Sequence, residues 1–449
     1  MMPLTRYAGS TVGILGMARS GIAAARALAA AGAEVLTFDD RPEALAGTPW
    51  RPGRPADIPA LAFLVVSPGI PLTHPQPHPL IEAARAARVA VRGDVDLFAE
   101  AASERPIVGV TGTNGKSTTT ALIHHLLTVA GLDAELGGNI GRPVLELEPG
   151  PPGRIFVLEL SSYQLELAEA LRCRVAVWLN LTPDHLDRHG DLAGYLAAKE
   201  RIFSGLGKGD VAVVGIDDAP SRAVTARLAA RGVDVRTVAV TGPGEAAFVV
   251  RDGRLLEGSA PVADLRPLRY LRGTHNWQNA AVAYAAVRAL GLAPDRVAAG
   301  LATFRGLPHR MEEVARAAGV VWVNDSKATN PDSAEKSLAC FADVFWIAGG
   351  KPKPGGFGSL RPHLARVRAA YLIGTAAGQI AAELGDLVPM HHVGTLDAAV
   401  RAASAAARAS GAAEAAVLLA PACASFDQFT DFEARGDAFR TLARTEAAA

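Results

Sequence analysis

Residues 108–120 read VGVTGTNGKSTTT, a short apolar run followed by two glycines, a lysine and a serine at the head of a helix-forming stretch. Strand, glycine turn, Lys-Ser and helix is the order a phosphate loop needs. Gly112 and Gly115 let backbone N–H groups curl around phosphate oxygens, and the helix N-terminus adds partial positive charge. Lys116 would bridge the terminal phosphates and Ser117 would ligate Mg²⁺. Val110 stands where the common GxxxxGK form has its first glycine, so a generic P-loop NTPase is a poor fit.

A second group lies downstream. Glu159 closes the apolar run 155–160 and is followed by Ser161 and Ser162, while Asp184 and His185 follow the apolar run 175–179. Open parallel sheets bind ligands at the C-terminal ends of their strands. Ser117, Glu159 and His185 could therefore meet on one rim, a hydroxyl, a carboxylate and an imidazole around Mg²⁺ and phosphate. His185 and His189 have the i, i+4 spacing of a zinc helix, but the residues between them lack the glutamate and read as a loop.

Of 45 basic residues only seven are lysine: Lys116, Lys199, Lys208, Lys327, Lys336, Lys351 and Lys353. A lysine at a motif position here hints at chemistry that wants an amine, which can lose its charge or be modified. Lys199 falls four residues after Tyr195 and three before Ile202, on an apolar helix face, where it is either functional or snorkelling. Near the N-terminus, Gly13, Gly16 and Gly21 do not fit GxGxxG, yet a strand, glycine turn and helix lead to a second strand ending at Asp39. An acidic residue there commonly holds a ribose, so the turn reads either as a nucleotide site or as plain packing. Cys423 has no His or Asp setting and reads as a small packed residue.

The elements that must position these residues alternate. Strands are expected at 12–15, 35–38, 61–66, 107–110, 155–160, 175–179, 211–214, 344–348, 371–373 and 417–419. Helices are expected at 20–31, 117–130 and 275–290, the last capped by Thr274, with Gly32, Gly131 and Gly291 just beyond their ends, and another beginning at Val297. This is an α/β pattern with mostly parallel sheets, divided near residue 100 and near the stretch GLPHRME. The 449 residues carry 49% hydrophobic residues and 45 basic against 45 acidic groups, which argues against disorder and against nucleic acid or an anionic membrane as main partner. Three scattered cysteines make no disulfide framework. The N-terminus has no apolar signal core and no apolar run is long enough to span a bilayer, so a cytoplasmic protein is expected.

The stretches TGTNGKST, GGNIG, LELSSYQLE, NLTPDHLDRHG, YLAAKERIF, GTHNWQNAAVA, GLPHRME, NDSKATNP and PACASFDQF occur in the order seen in the Mur ligases, and the chain resembles that family from about residue 12 to 440. These enzymes join amino acids to the peptidoglycan precursor, and the resemblance is nearest to the branch that adds D-glutamate to UDP-N-acetylmuramoyl-L-alanine. It implies a Rossmann-like domain for the UDP-substrate (1–98), a central P-loop ATPase-like α/β domain (99–306) and a Rossmann-like domain for the amino acid (307–449). By the same resemblance Gly112, Thr113, Asn114, Gly115, Lys116, Ser117 and Thr118 cradle ATP, and Asn279, Arg310 and Asp325 contact it. Ser117 and Glu159 would bind one Mg²⁺, and His185 with Lys199 a second, the family's lysine there being carbamylated; Mn²⁺ is the alternative ion. Ser20, Asp39, Arg41, Ser67, Gly69, Asn139 and His185 match positions that hold the UDP-sugar, and Lys327, Thr329, Ser425 and Phe432 match positions around D-glutamate.

The chain departs from the family at the first-domain glycine turn and in the loop GGKPKPGGF, where spacing favours Lys353 over Lys351 for the side-chain carboxylate of D-glutamate. A monomer with small-molecule substrates is implied. Three rival readings stay open at this level: a sister ligase using another amino acid or another acid, a non-catalytic, nucleotide-gated module that binds the precursor, and an ATP-driven transporter or motor subunit.

Overall fold

A computed structural model describes residues 1–241 and 246–449. The protein is α/β with three sheets. The chain divides into two compact units, Met1–Asp264 with Asn276–Thr303, and Leu265–His275 with Phe304–Ala449.

The first unit holds two sheets. One is parallel, in the order Arg51–Pro52, Glu34–Phe38, Thr11–Leu15, Phe63–Val66, Ala90–Arg92. The other has nine strands among the described residues, in the order Ala260–Asp264, Arg254–Glu257, Phe248–Arg251, Asp234–Ala239, Val211–Gly215, Val175–Trp178, Ile107–Thr111, Ile155–Glu159, Ala134–Gly138. Its last seven strands run parallel, and the two at the other edge are antiparallel, a hairpin ribbon that the apolar pattern does not announce. The two sheets share one core: the ring of Phe98 meets that of Phe156 edge-on at 5.0 Å, and Met2 N donates to Leu145 O at 3.2 Å. The helix Asp94–Ala101 supplies Phe98 and runs across the position where a boundary is expected.

The third sheet belongs to the second unit, in the order Glu312–Ala317, Val320–Asn324, Ala415–Leu419, Asp343–Gly349, Val367–Ile373, Met390–Gly394. Only its first pair is antiparallel. Apolar clusters cover both faces, which is why its central strands read as unbroken apolar runs.

Each of the ten expected strands is present. The helices run Arg19–Ala30, Lys116–Val129 and Thr274–Ala289, with Gly32, Gly131 and Gly291 at positive φ beyond them. Three local expectations need correction. Thr274 is the first helical residue and not a cap ahead of the helix. The helix expected from Val297 starts at Pro294, because proline fits the first helical turn, where no N–H partner is needed. Residues Leu186–His189 form a helical turn instead of a loop. No helix among the described residues is long and apolar enough to cross a membrane.

Candidate active site

The strand Ile107–Thr111 lies between Ile155–Glu159 and Val175–Trp178, where the strand order reverses. That reversal opens a crevice at the carboxyl ends of the strands. Register then decides the neighbours: Val110 pairs with Glu159 and Thr111 with Trp178. The loop Gly112–Gly115 follows and delivers Lys116 as the first residue of its helix. Gly115 has φ +85°, and a Cβ there would stand 2.2 Å from Asn279 Oδ1. A side chain would thus be strained at this position and would displace Asn279, which accepts from Thr119 Oγ1 at 3.2 Å.

Two amines converge on the loop. Lys116 Nζ donates to Gly112 O at 2.9 Å and to Thr113 O at 2.8 Å. Lys199 Nζ donates to Gly112 O at 2.9 Å and to Thr111 Oγ1 at 3.5 Å, and stands 4.7 Å from the centre of the Tyr195 ring. Lys199 is only 1% exposed. Burial, then the charge of Lys116, holds its amine well below the ordinary lysine value, against Asp184 and Glu159. The apolar face expected for Lys199 therefore buries the amine at the loop instead of releasing it to solvent.

Glu159 is buried, with Oε1 accepting from Asn139 Nδ2 at 2.7 Å, while Oε2 has no hydrogen-bond partner among the described residues. Asn139 N also donates to Glu159 O at 2.9 Å, so the GGNIG turn is pinned to the strand that carries the carboxylate. His185 sits at positive φ with Nδ1 2.9 Å from the Tyr163 hydroxyl and Nε2 3.4 Å from Asp184 Oδ2. Burial lowers its pKa, opposed by Asp184 and reinforced by Lys116 and Lys199. His189 points elsewhere, with Nε2 3.0 Å from Ser162 Oγ.

On the first sheet Met17 N and Arg41 N donate to Asp39 at 2.7 and 3.0 Å, and Ser67 Oγ donates to Gly16 O at 2.6 Å. A Cβ on Gly21 would lie 1.9 Å from Gly16 O, which explains the unusual glycine spacing: the helix packs directly on the turn. Burial opposes ionisation of Asp39, but the bonds from Met17 and Arg41 prevail and lower its pKa. Ser20 flanks Asp94, a buried carboxyl whose pKa burial raises. Arg41 and Gly69 are exposed.

The remaining candidates lie on the second unit. Asp325 is buried, accepts from Met311 N at 3.2 Å and from the Ser337 hydroxyl, and has its pKa raised by burial against Ser337 and Arg310. Lys327 Nζ lies 5.5 Å from the Phe432 ring centre, and Thr329 N donates to Lys327 O at 2.9 Å. Lys351 and Ala424 exchange backbone hydrogen bonds of 2.8 and 3.0 Å, which fixes the lysine loop beside buried Ser425. Lys353 is exposed two residues on. Cys423 is fully buried, as expected of a packed residue.

Sequence reasoning missed Asn180. Its backbone O accepts from Thr113 N at 3.0 Å, its Oδ1 from Asn114 N at 2.9 Å, and its Nδ2 donates to Asn114 O at 3.2 Å and to Gln278 Oε1 at 3.3 Å. Gln278 is anchored in turn by Asp217, through a bond of 2.6 Å. Its signals were its place just past a strand end and at the head of the stretch NLTPDHLDRHG.

A family model described as the Mur ligase middle domain matches residues 110–287, and one described as Mur ligase, glutamate ligase domain, matches residues 309–423. The chain is 49% identical over 447 residues to a UDP-N-acetylmuramoylalanine–D-glutamate ligase of Paramagnetospirillum magneticum, covering 98% of each chain. It is 48% identical over 471 residues to a protein of the same name from Rhodospirillum rubrum, covering 100% of this chain and 98% of the other. Among solved structures it is similar to MurF ligase from Thermotoga maritima in complex with ADP, with TM-score 0.62 and 15% identity over 100% of this chain and 97% of that one. A UDP-N-acetylmuramate-alanine ligase from the same organism gives TM-score 0.58 and 19% identity over 98% and 100%. At such identities the structural likeness speaks for the fold.

Proposed function

We propose that this chain, which belongs to the Mur ligase family of ATP-dependent, amide-bond-forming ligases, joins D-glutamate to UDP-N-acetylmuramoyl-L-alanine in the cytoplasm, acting as a monomer. The observation that carries the chemistry is the meeting of Lys116, Lys199 and Glu159 at one crevice. The choice of amino acid rests on full-length similarity to relatives whose names specify D-glutamate. Residues 1–98 would hold the UDP-substrate, 99–306 ATP, and 307–449 the amino acid.

A carboxylate is a poor electrophile, so ATP must activate it. The L-alanyl carboxylate attacks the γ-phosphate, releasing ADP and leaving an acyl phosphate. The amine of D-glutamate then attacks the acyl carbon, and the tetrahedral adduct collapses to the amide and phosphate. Two anions approach each other in the first step, so fixed positive charge counts most there. Lys116 and the loop N–H groups of Gly112–Thr118 hold the phosphates, with Asn279, Arg310 and Asp325 completing the nucleotide site. Ser20, Asp39, Arg41, Ser67, Gly69, Asn139 and His185 hold the UDP-sugar. Lys327, Thr329, Lys353, Ser425 and Phe432 receive D-glutamate.

The residues fit a hard divalent cation. Glu159 keeps one buried carboxylate oxygen without a hydrogen-bond partner among the described residues, and the Ser117 hydroxyl is buried at the start of the loop helix. The remaining ligands of Mg²⁺ or Mn²⁺ would be nucleotide phosphates and water. Ser117 and Glu159 would hold one ion, and His185 with carbamylated Lys199 a second. Such ions would offset the charge of phosphate and carboxylate. Burial of Lys199 favours the neutral amine that a carbamate requires.

The test is phosphate release from ATP by purified protein with UDP-N-acetylmuramoyl-L-alanine and, in turn, D-glutamate, L-glutamate, L-alanine, a diamino acid or none, with products checked by mass. Turnover with D-glutamate alone and the matching mass gain is expected. Turnover with another amino acid would move the protein to a sister branch, and ATP binding without turnover would favour a non-catalytic module.

A further inference from the structure

Arg188 is 6% exposed, yet it carries a charge that the proposed chemistry does not use. Its Nη2 donates to the carbonyl of Ile70 at 2.7 Å and pairs with Glu166 Oε2 at 3.0 Å. Its guanidinium carbon stands 5.2 Å from the centre of the Tyr163 ring. Nε and Nη1 are buried without a hydrogen-bond partner among the described residues. A buried guanidinium so incompletely satisfied is costly, and such groups persist where they do something besides packing.

Its neighbours indicate what. Ile70 N donates to Ser67 O at 3.0 Å and closes the tight turn Ser67–Ile70, which carries Ser67 and Gly69, so Arg188 grips the last residue of that turn by its carbonyl. Tyr163, under the guanidinium, places its hydroxyl 2.9 Å from His185 Nδ1. A bond to the far ring nitrogen of a ligand histidine sets that ring's orientation. Glu166 reaches Arg188 on one side and His189 Nδ1 at 3.5 Å on the other, which fixes the helical turn that begins after His185.

We infer that Arg188 is a positioning residue that locks the Ser67–Ile70 turn to the Tyr163–His185 pair, and so sets where the L-alanyl carboxylate of the UDP-substrate, the group that takes the phosphoryl, lies relative to the phosphate loop. This rests on the function proposed above. A planar guanidinium bridges a carbonyl, a carboxylate and a ring face together, which an ammonium does not. Ile70 and Arg188 are 118 residues apart in the chain, so no local sequence preference aligns them.

The experiment compares wild type, Arg188→Ala, Arg188→Lys and Glu166→Gln in steady-state ligation, with KM for UDP-N-acetylmuramoyl-L-alanine, ATP and D-glutamate measured separately. Thermal midpoints and circular dichroism report folding. Arg188→Ala should raise KM for the UDP-substrate about tenfold or more and lower kcat, leaving KM for ATP within about twofold. Guanidinium ion added at low millimolar concentration should recover part of that loss, and Arg188→Lys should fall between the two. Glu166→Gln keeps the shape and weakens the grip, so it should show the same KM pattern more mildly, and it decides the matter if Arg188→Ala does not fold. Equal rises in all three KM values, or an unchanged KM for the UDP-substrate in folded variants, would overturn the inference while wild-type turnover kept the ligase reading intact. Failure of the wild type to ligate D-glutamate would instead remove that reading.

Discussion

Lys116 and Lys199 donate to the same acceptor, the carbonyl oxygen of Gly112, each at 2.9 Å. The two residues reach it from different helices, and one carbonyl dipole faces both amines. Lys116 thus brings positive charge to the place where two anions must meet, in a partly desolvated setting, while burial disfavours the charged form of Lys199. Lys116→Ala should lower ligation by roughly a thousandfold or more, since a phosphate-clamping charge is lost from the transition state. Product formation followed by mass would check it, and near-normal turnover would disprove the phosphate-loop assignment.

Lys199 predicts a chemical rescue. Lys199→Ala should be almost inactive and should regain activity with added short carboxylic acids, which can stand in for a carbamate. Lys199→Arg puts a fixed positive charge there and cannot form the carbamate, so it should remain inactive. A fully active arginine variant would exclude the carbamate role.

Asn180 makes bonds to the backbones of both Thr113 and Asn114, so it shapes the phosphate loop. Asn180→Leu should raise KM for ATP by about tenfold or more while KM for the UDP-substrate changes little. A double-mutant cycle with Gln278→Leu should show coupling of about 0.5 kcal/mol or more, because the two amides share a hydrogen bond. Strict additivity would deny that the amide chain acts as a unit.

The amino-acid loop offers two lysines. Lys353→Ala should raise KM for D-glutamate far more than KM for ATP, and Lys351→Ala should not. The reverse ranking would assign the carboxylate to Lys351, whose backbone is paired with Ala424.

Glu414 gives a prediction about stability. Hydrogen bonds from Arg272 lower its pKa to about 2, with Arg316 adding to the effect against burial. The Arg272 bridge matters for the fold, because it ties the segment Leu265–His275 to the rest of the second unit. A lowered folded-state pKa stabilises at pH above the ordinary carboxyl value and loses that contribution as pH falls toward 2. The side chain is 36% exposed, so screening limits the effect to at most about 1 kcal/mol. Glu414→Gln should thus be slightly less stable than wild type at pH 7 in urea unfolding, with the gap shrinking between about pH 4.5 and 2. A gap that widened on acidification would refute the sign.

Much of this protein is readable along the chain. Parallel strands buried on both faces must be apolar throughout, so Ile107–Thr111, Ile155–Glu159, Val175–Trp178 and Ala415–Leu419 declare themselves locally. The phosphate loop is equally local, since its strand, glycines, lysine and helix are contiguous. Edge elements such as Arg254–Glu257 and Ala260–Asp264 carry partly exposed, mixed residues and leave no such trace. Tertiary structure decided what chain order cannot. Strand order and register bring Glu159 beside Val110, carry Asn180 to Asn114 across 66 residues, and set Arg188 against Ile70 across 118. Those contacts depend on which strand ends share a crevice, and a single residue at a strand end has no periodicity or spacing by which to announce its partner.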